Sequence, residues 1–214
     1  MFDLAGLRAA VAAQGRVARV VIAAFDGSSP REVGAAMLVW ADGQSGTVGG
    51  GALEWQAVCR ARDLLAVGGT RLDREALGPK LGQCCGGAVT LLTEVFTADA
   101  VAALDDQVIA RAVDGREMPL GVKRLLAAQR GQGVLPPVQM VQGWFIEPVA
   151  RPMRHLWIWG AGHGGRALVA VLAPLPGVAI TWVDVGPERF PETLPDTVRA
   201  LPVADPALAV ALAP

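Results

Sequence analysis

The sequence predicts an α/β protein: an N-terminal α/β domain with a mixed sheet, followed by a Rossmann-like domain that reads as truncated. Three observations predict it. Apolar β-branched runs such as Val17–Ile22 and Val178–Val183 alternate with stretches of helical spacing such as Ala52–Val67. Glycine runs stand at strand-to-helix joints, at Gly49-Gly50-Gly51 and again from Gly160 to Gly165. The pattern also changes sharply after Pro148 and Pro152, which divides the chain into domains 1–150 and 154–214.

In order along the chain, Leu4, Leu7 and Val11 give Phe2–Gln14 a helical spacing that stops at Gly15, a residue suited to a helix C-terminus. Arg16–Phe25 is a buried strand, and Gly34–Trp40 a second one after the loop 26–31. Asp42-Gly43 is a hairpin turn that folds Gln44–Val48 back on that strand. Leu53, Val58, Leu64 and Leu65 make Ala52–Val67 an amphipathic helix closed by Gly68-Gly69. Strands follow at Thr70–Ala76 and Ala88–Phe96, with a helix over Ala98–Val113 that Asp99 favours in its first turn. A further helix spans Val122–Gln129, and Gln139–Val149 forms one or two edge strands. The second domain reads as strand Leu156–Trp159, glycine loop, helix Arg166–Leu172, strand Val178–Val185, a brief strand in Thr197–Val203 and a helix start at Pro206.

Composition narrows the function. The 214 residues are 52% hydrophobic and 18% charged, with a net charge of −1, so no electrostatic drive favours nucleic acid or an anionic membrane. The N-terminus lacks the basic region of a secretory signal, and no apolar run reaches the roughly 18–20 residues of a membrane span. Three cysteines without a spaced framework fit a reducing compartment, so a cytoplasmic protein is expected.

Two of those cysteines are adjacent, in Gly78-Pro79-Lys80-Leu81-Gly82-Gln83-Cys84-Cys85-Gly86-Gly87. Neighbouring Cα atoms lie about 3.8 Å apart, below the roughly 4.4–6.8 Å of an unstrained disulfide. The loop is either a glycine turn with one buried and one idle thiol, or a thiol offered to a soft metal or a redox partner.

Three glycines at the start of the Ala52 helix leave N–H groups pointing outwards, which favours an anion; a turn needing positive φ is the other reading. Glu54 lies in the first helical turn. In the second domain Gly160, Gly162 and Gly165 match the dinucleotide fingerprint, and Asp184 lies about 20 residues on, where an acid meets a ribose. His163 sits inside this glycine loop, and His155 precedes the strand.

These stretches carry a resemblance. Gly27-Ser28-Ser29-Pro30-Arg31-Glu32-Val33-Gly34-Ala35-Ala36-Met37, Gly46–Glu54 and Leu81–Gly87 resemble three motifs of the XdhC/CoxI family, the xanthine dehydrogenase accessory proteins. Trp159-Gly160-Ala161-Gly162-His163 resembles the opening of that family's C-terminal Rossmann domain, which normally continues for several more βα units.

The resemblance implies a chaperone, not an enzyme, that binds the molybdenum cofactor (molybdopterin). It holds the cofactor for sulfuration with a cysteine desulfurase and delivers it to a xanthine dehydrogenase apoprotein. On this reading Ser28, Ser29, Arg31, Gly49, Gly50, Gly51 and Glu54 meet the cofactor together with Gln83, Cys84, Cys85, Gly86 and Gly87. Cys84 and Cys85 are the soft ligands near molybdenum, and Gly160, Gly162, Gly165 and Asp184 complete the set of binding residues. The competing expectations are an NAD(P)-dependent oxidoreductase with a redox-active Cys loop and, after it, a structural adaptor. Half a dinucleotide fold is not expected to bind NAD tightly, and its open sheet edge is expected to support a homo-oligomer.

Overall fold

The computed structural model describes residues 1–78, 86–150, 154–175 and 177–213. The chain divides into two units, Met1–Val149 and Ala150–Pro214.

In the first unit, helix α1 (Leu4–Gln14) is capped by the Asp3 carboxylate, which accepts the Gly6 N–H, and ends at Gly15 with φ +76°. Strands β1 (Val17–Asp26), β2 (Ala36–Val39) and β3 (Gln44–Gly46) follow, then helix α2 (Gly51–Val67) and the hairpin-like pair β4 (Thr70–Ala76) and β5 (Ala88–Phe96). They form one sheet in the order β3-β2-β1-β5-β4.

The α/β class holds, but this sheet is antiparallel at every pairing, not mixed. A strand–helix–strand sequence leads one to expect a parallel crossover. Here α2 carries the chain from one edge strand, β3, to the other, β4, so the two strands it joins never pair.

β1 lies at the centre and is covered on both faces. Ala18, Val20 and Ile22 pack with Leu53, Ala57 and Ala61 of α2. Val17 packs with α1 through Leu7 and Val11, and Val21 and Ala23 pack with Phe145. A strand buried on both faces reads as a continuous apolar run, which is why β1 is legible in the sequence.

The rest of the unit contains α3 (Ala98–Ala102), β6 (Val108–Ala112), α4 (Leu120–Gln132), β7 (Gln139–Val141) and β8 (Trp144–Pro148). The helix expected over Ala98–Val113 is thus cut to a short turn and a strand. The Asp105 carboxylate accepts the N–H groups of Gln107 (2.7 Å) and Val108 (3.1 Å), which turns the chain out of the helix. The β-branched Val108 and Ile109 then pair with β8. β8 is the centre of a second antiparallel sheet, β6-β8-β7, and not an edge. Its Glu147 is fully buried and meets Arg19 of β1 across the two sheets.

The second unit holds β9 (Arg154–Trp159), α5 (His163–Leu172), β10 (Val178–Asp184), β11 (Val198–Pro202) and the single turn α6 (Pro206–Ala209). Its three strands are parallel in the order β11-β10-β9, with α5 as the crossover between β9 and β10. Ile158, Val169, Ile180, Trp182 and Val198 form the core. The connection 185–197 carries no α-helix, only the short 3-10 turn Pro187–Arg189. Among the described residues no helix is long and apolar enough to cross a membrane.

Candidate functional site

Three of the loops singled out in the sequence meet at one end of the five-stranded sheet. β1 ends at Asp26, and the chain turns through Gly27 with φ +68°. A Cβ placed on Gly87 would lie 2.1 Å from the Ser28 carbonyl oxygen and 2.5 Å from that of Asp26, so only a glycine lets this loop reach the start of β5. Leu77 donates its N–H to the Gly87 carbonyl at 2.7 Å and is itself buried, which closes the β4–β5 pair beneath the loop. On the other flank, a Cβ on Gly49 would lie 2.6 Å from Pro30. The segment 27–31 is therefore wedged between the glycine turn at the start of α2 and the glycines before β5.

This wedge gathers Ser28, Ser29, Arg31, Gly49, Gly50, Gly51, Glu54, Gly86 and Gly87 in one neighbourhood. Gln83, Cys84 and Cys85 lie outside the described residues. At Gly50, Gly51 and Gly86 an added Cβ would meet no atom of the described residues within 4 Å.

The side chains of the site hold one another. Glu54 reaches back over the glycine turn, where its carboxylate accepts from the Thr47 hydroxyl, from the N–H groups of Val48 (3.0 Å) and Gly50 (3.2 Å), and from the Gln44 amide (3.3 Å). Burial pushes this carboxyl up, yet those four donors outweigh it and hold it below the usual carboxylate range. The Gly49 N–H goes to the Thr47 hydroxyl at 3.0 Å. The anion place that the glycines create is thus filled from within, by Glu54.

Arg31 is exposed and forms a bidentate pair with its neighbour Glu32, which raises the one pKa and lowers the other. The Ser29 hydroxyl donates to the Arg31 carbonyl at 2.7 Å and shapes the loop. Beside Gly87, Asp26 is paired with the exposed Arg74 of β4 at 2.8 Å.

Sequence reasoning missed Thr47, Gln44, Glu32, Asp26 and Arg74 as parts of this neighbourhood. Thr47 stands seven positions before Glu54, outside the three-residue spacing of a capping box. The intervening positive-φ glycines, Gly49 (+126°), Gly50 (+73°) and Gly51 (+64°), are what bring the two together.

In the second unit the start of the glycine loop is also bonded internally. Gly160 has φ +94°, and its carbonyl accepts the Trp182 indole N–H at 3.0 Å. A Cβ on Gly165 would lie 1.9 Å from that carbonyl oxygen, so α5 and β9 approach as the fingerprint requires. The Asp184 carboxylate accepts the N–H groups of Ala161 and Val185, and these bonds hold its carboxyl below the ordinary range. Asp184 binds the loop it was expected to work beside. His163 opens α5 with Gly162 as the cap, and His155 is exposed on β9. Among the described residues no group of three or more His, Cys, Asp or Glu side chains is arranged to hold a metal.

The geometry defines an α/β protein whose glycine-loop cluster sits at the end of an antiparallel sheet, with a separate parallel βαβ unit. Residues 10–75, which include the first two loop motifs, match the model of the XdhC and CoxI family. The resemblance read from the motifs is borne out over that stretch. No curated protein matches the sequence. Among solved structures, one described as a xanthine dehydrogenase from Bacillus halodurans superposes with a TM-score of 0.66 at 19% identity. The match covers 99% of this chain and 70% of that one, and at such identity it is a likeness of fold.

Proposed function

We propose that this chain is a molybdenum cofactor-binding maturation chaperone. It holds the cofactor for sulfuration with a cysteine desulfurase and delivers it to a xanthine dehydrogenase apoprotein. The observation that supports this most is the meeting of three separated loops at one sheet end, two of them within the segment matching the XdhC and CoxI family.

The residues present suit such a cargo. Bare backbone at Gly50, Gly51 and Gly86 admits a bulky ligand at close range. Arg31 is the exposed cation for the cofactor's phosphate; its pair with Glu32 is a surface ion pair, which is weak and exchanges readily. Cys84 and Cys85 are the two residues before Gly86, so two soft thiols directly precede that glycine in the sequence. The cargo carries sulfur-bound molybdenum, and the chain's part is to hold, orient and shield it. Because the N–H groups of Gly49 and Gly50 are already bonded, those glycines supply shape and not free donors. Glu54 is a positioning residue of the same turn.

The oxidoreductase reading is weakened by Asp184. Its carboxylate is bonded to the glycine loop and leaves the ribose position without a free acid. We assign Gly160, Gly162, Gly165 and Asp184 to the internal build of the second unit. A cytoplasmic homo-oligomer remains part of the proposal.

The test is to load the purified protein with cofactor, oxidise it and quantify the fluorescent pterin after chromatography. Retention is expected in the parent, reduced retention in Cys84→Ala and Cys85→Ala, and unchanged retention in Cys59→Ala, whose thiol is exposed on α2. Equal retention in all three variants removes the thiols from the site. Failure of the parent to retain any pterin overturns the reading.

A further inference from the structure

The second unit contains a cavity of about 330 Å³ that lies between α5 and the connection 185–197. Its origin is topological. Parallel strands are usually joined by a helix packed on the sheet, but β10 and β11 are joined by a segment that holds Pro187, Pro191 and Pro195 and makes only a 3-10 turn. One flank of α5 is therefore left without a covering helix. The cavity floor is the buried Trp182 ring with Val169 and Ala173, and Leu194 and Pro191 form the opposite wall.

Among the described residues that line it, Arg166 is the one charged side chain. It is fixed in place by two backbone acceptors: Nε donates to the Ala161 carbonyl at 3.0 Å and Nη2 to the Arg189 carbonyl at 2.6 Å. A guanidinium has five N–H donors, and these bonds leave Nη1 for another acceptor. A mostly apolar cavity at the lower end of the roughly 300–1,000 Å³ range of small-molecule sites, with an oriented guanidinium and the Thr193 hydroxyl among its lining, has the usual make-up of a ligand pocket.

We propose that this cavity is a binding site for a small organic acid, with its flat apolar body against Trp182 and Leu194 and its anionic group on Arg166. The site lies wholly within the second unit and does not rest on the cofactor reading.

The probe is 8-anilinonaphthalene-1-sulfonate, an aromatic body with one anionic group, and the neutral N-phenyl-1-naphthylamine serves as its uncharged counterpart. Fluorescence titration of the whole 214-residue chain is expected to show one saturable site for the sulfonate. Ala170→Phe, which fills the cavity from the exposed side of α5, is expected to abolish binding of both probes. Thr193→Phe fills it from the opposite wall and is expected to do the same, so that a misfolded variant, recognised by near-ultraviolet circular dichroism, does not leave the question open. Arg166→Gln is expected to weaken the sulfonate about tenfold, as loss of a charge-assisted bond does, and to leave the neutral probe unchanged. Unaltered sulfonate binding in a folded filling variant would place the probe on the exposed apolar flank at Leu168 and Val171 and overturn the site. An Arg166→Gln variant that binds both probes like the parent would overturn the assignment of an acid.

Discussion

The buried charges of the first unit make its stability sensitive to the loss of a single partner. Glu147 has no exposed surface and accepts a bidentate pair from Arg19, at 2.9 and 2.7 Å, plus a third bond from Arg111 at 2.8 Å. Arg111 in turn bonds Glu94 at 2.6 Å, and the Phe2 ring lies 4.3 Å from the Arg19 guanidinium and 5.0 Å from that of Arg111. The set is neutral, two guanidiniums against two carboxylates. Glu147→Leu removes one charge and strands Arg19 in an apolar layer, which costs about 3–5 kcal/mol when one partner of a buried pair is lost. Replacing Arg19 by Met in the same chain removes the stranded charge and leaves Arg111 with Glu94, so the double variant is expected to be more stable than Glu147→Leu alone. Native-state hydrogen exchange at the Val20 and Val21 amides reads the opening free energy of this unit separately from the second. A single variant that loses under about 1 kcal/mol, or a double variant that loses the sum of the two singles, would refute the reasoning. The pH dependence follows in sign. Burial pushes the Glu147 carboxyl up, but Arg19 and Arg111 more than offset it and hold it below the usual range. A carboxyl depressed on folding adds stability that is complete above its unfolded value of about 4.3 and is lost as pH falls through the folded value. Acid destabilisation of the unit is therefore expected below about pH 4, and Glu147→Leu is expected to flatten it.

Further expectations concern the loops. Glu54→Ala removes the carboxylate that closes the glycine turn and should cost about 0.5–2 kcal/mol, the range for a lost helix cap; urea unfolding checks it, and no change would mean that the turn closes without Glu54. Gly87→Ala forces a Cβ against two backbone oxygens and should cost about 1–3 kcal/mol, whereas Gly86→Ala meets no atom of the described residues within 4 Å and should cost clearly less; thermal melts that cannot tell the two apart would contradict the packing of 27–31 on Gly87. Titration calorimetry with NAD(H) and NADP(H) is expected to show no tight binding, because Asp184 is bonded to Ala161 and Val185; micromolar or tighter binding would restore the oxidoreductase reading.

Most of the strands and helices were legible because burial leaves a period in the sequence. β1 is covered on both faces, Leu53 and Val58 of the expected apolar face of α2 are buried with Ala57 and Ala61 while Leu64 and Leu65 are half-buried, and Gly15 and Gly68 end their helices with positive φ. The stretch Ala98–Val113 was misread because Val101, Leu104 and Val108 keep a helical spacing, while the stop signal is a single side chain, Asp105, bonded to the backbone after it. The site was legible as glycine motifs, since a Cβ added at Gly49 or Gly87 would lie between 2 and 3 Å from the neighbouring segment and only glycine fits there. What filled the turn was not legible. Nothing local links Thr47 to Glu54, and an acid in a first helical turn favours the dipole whether it faces solvent or closes the loop. The Arg19–Glu147 pair spans 128 positions, and its only local trace is one charge inside each of two apolar strands. A charge so placed needs a buried partner, but sequence does not say which.

The β1–β5 register sets the buried charges and the glycine loops apart. Arg19 is paired directly with Glu94 near one end of the β1–β5 ladder, and Asp26 is paired with Ala88 at the other. Seven residues at about 3.3 Å each put roughly 20 Å between them. The charge network fixes the end where the two sheets and Phe2 meet, while loop 27–31 and Gly87 hang from the opposite end. The buried charges and the glycine loops are thus carried by opposite ends of the same two strands. Loss of Glu147 should therefore lower the opening free energy of the unit and leave ligand affinity at the glycine loops unchanged wherever the unit is still folded. Arg31→Ala, at a surface ion pair, should leave that opening free energy unchanged and lower the affinity instead.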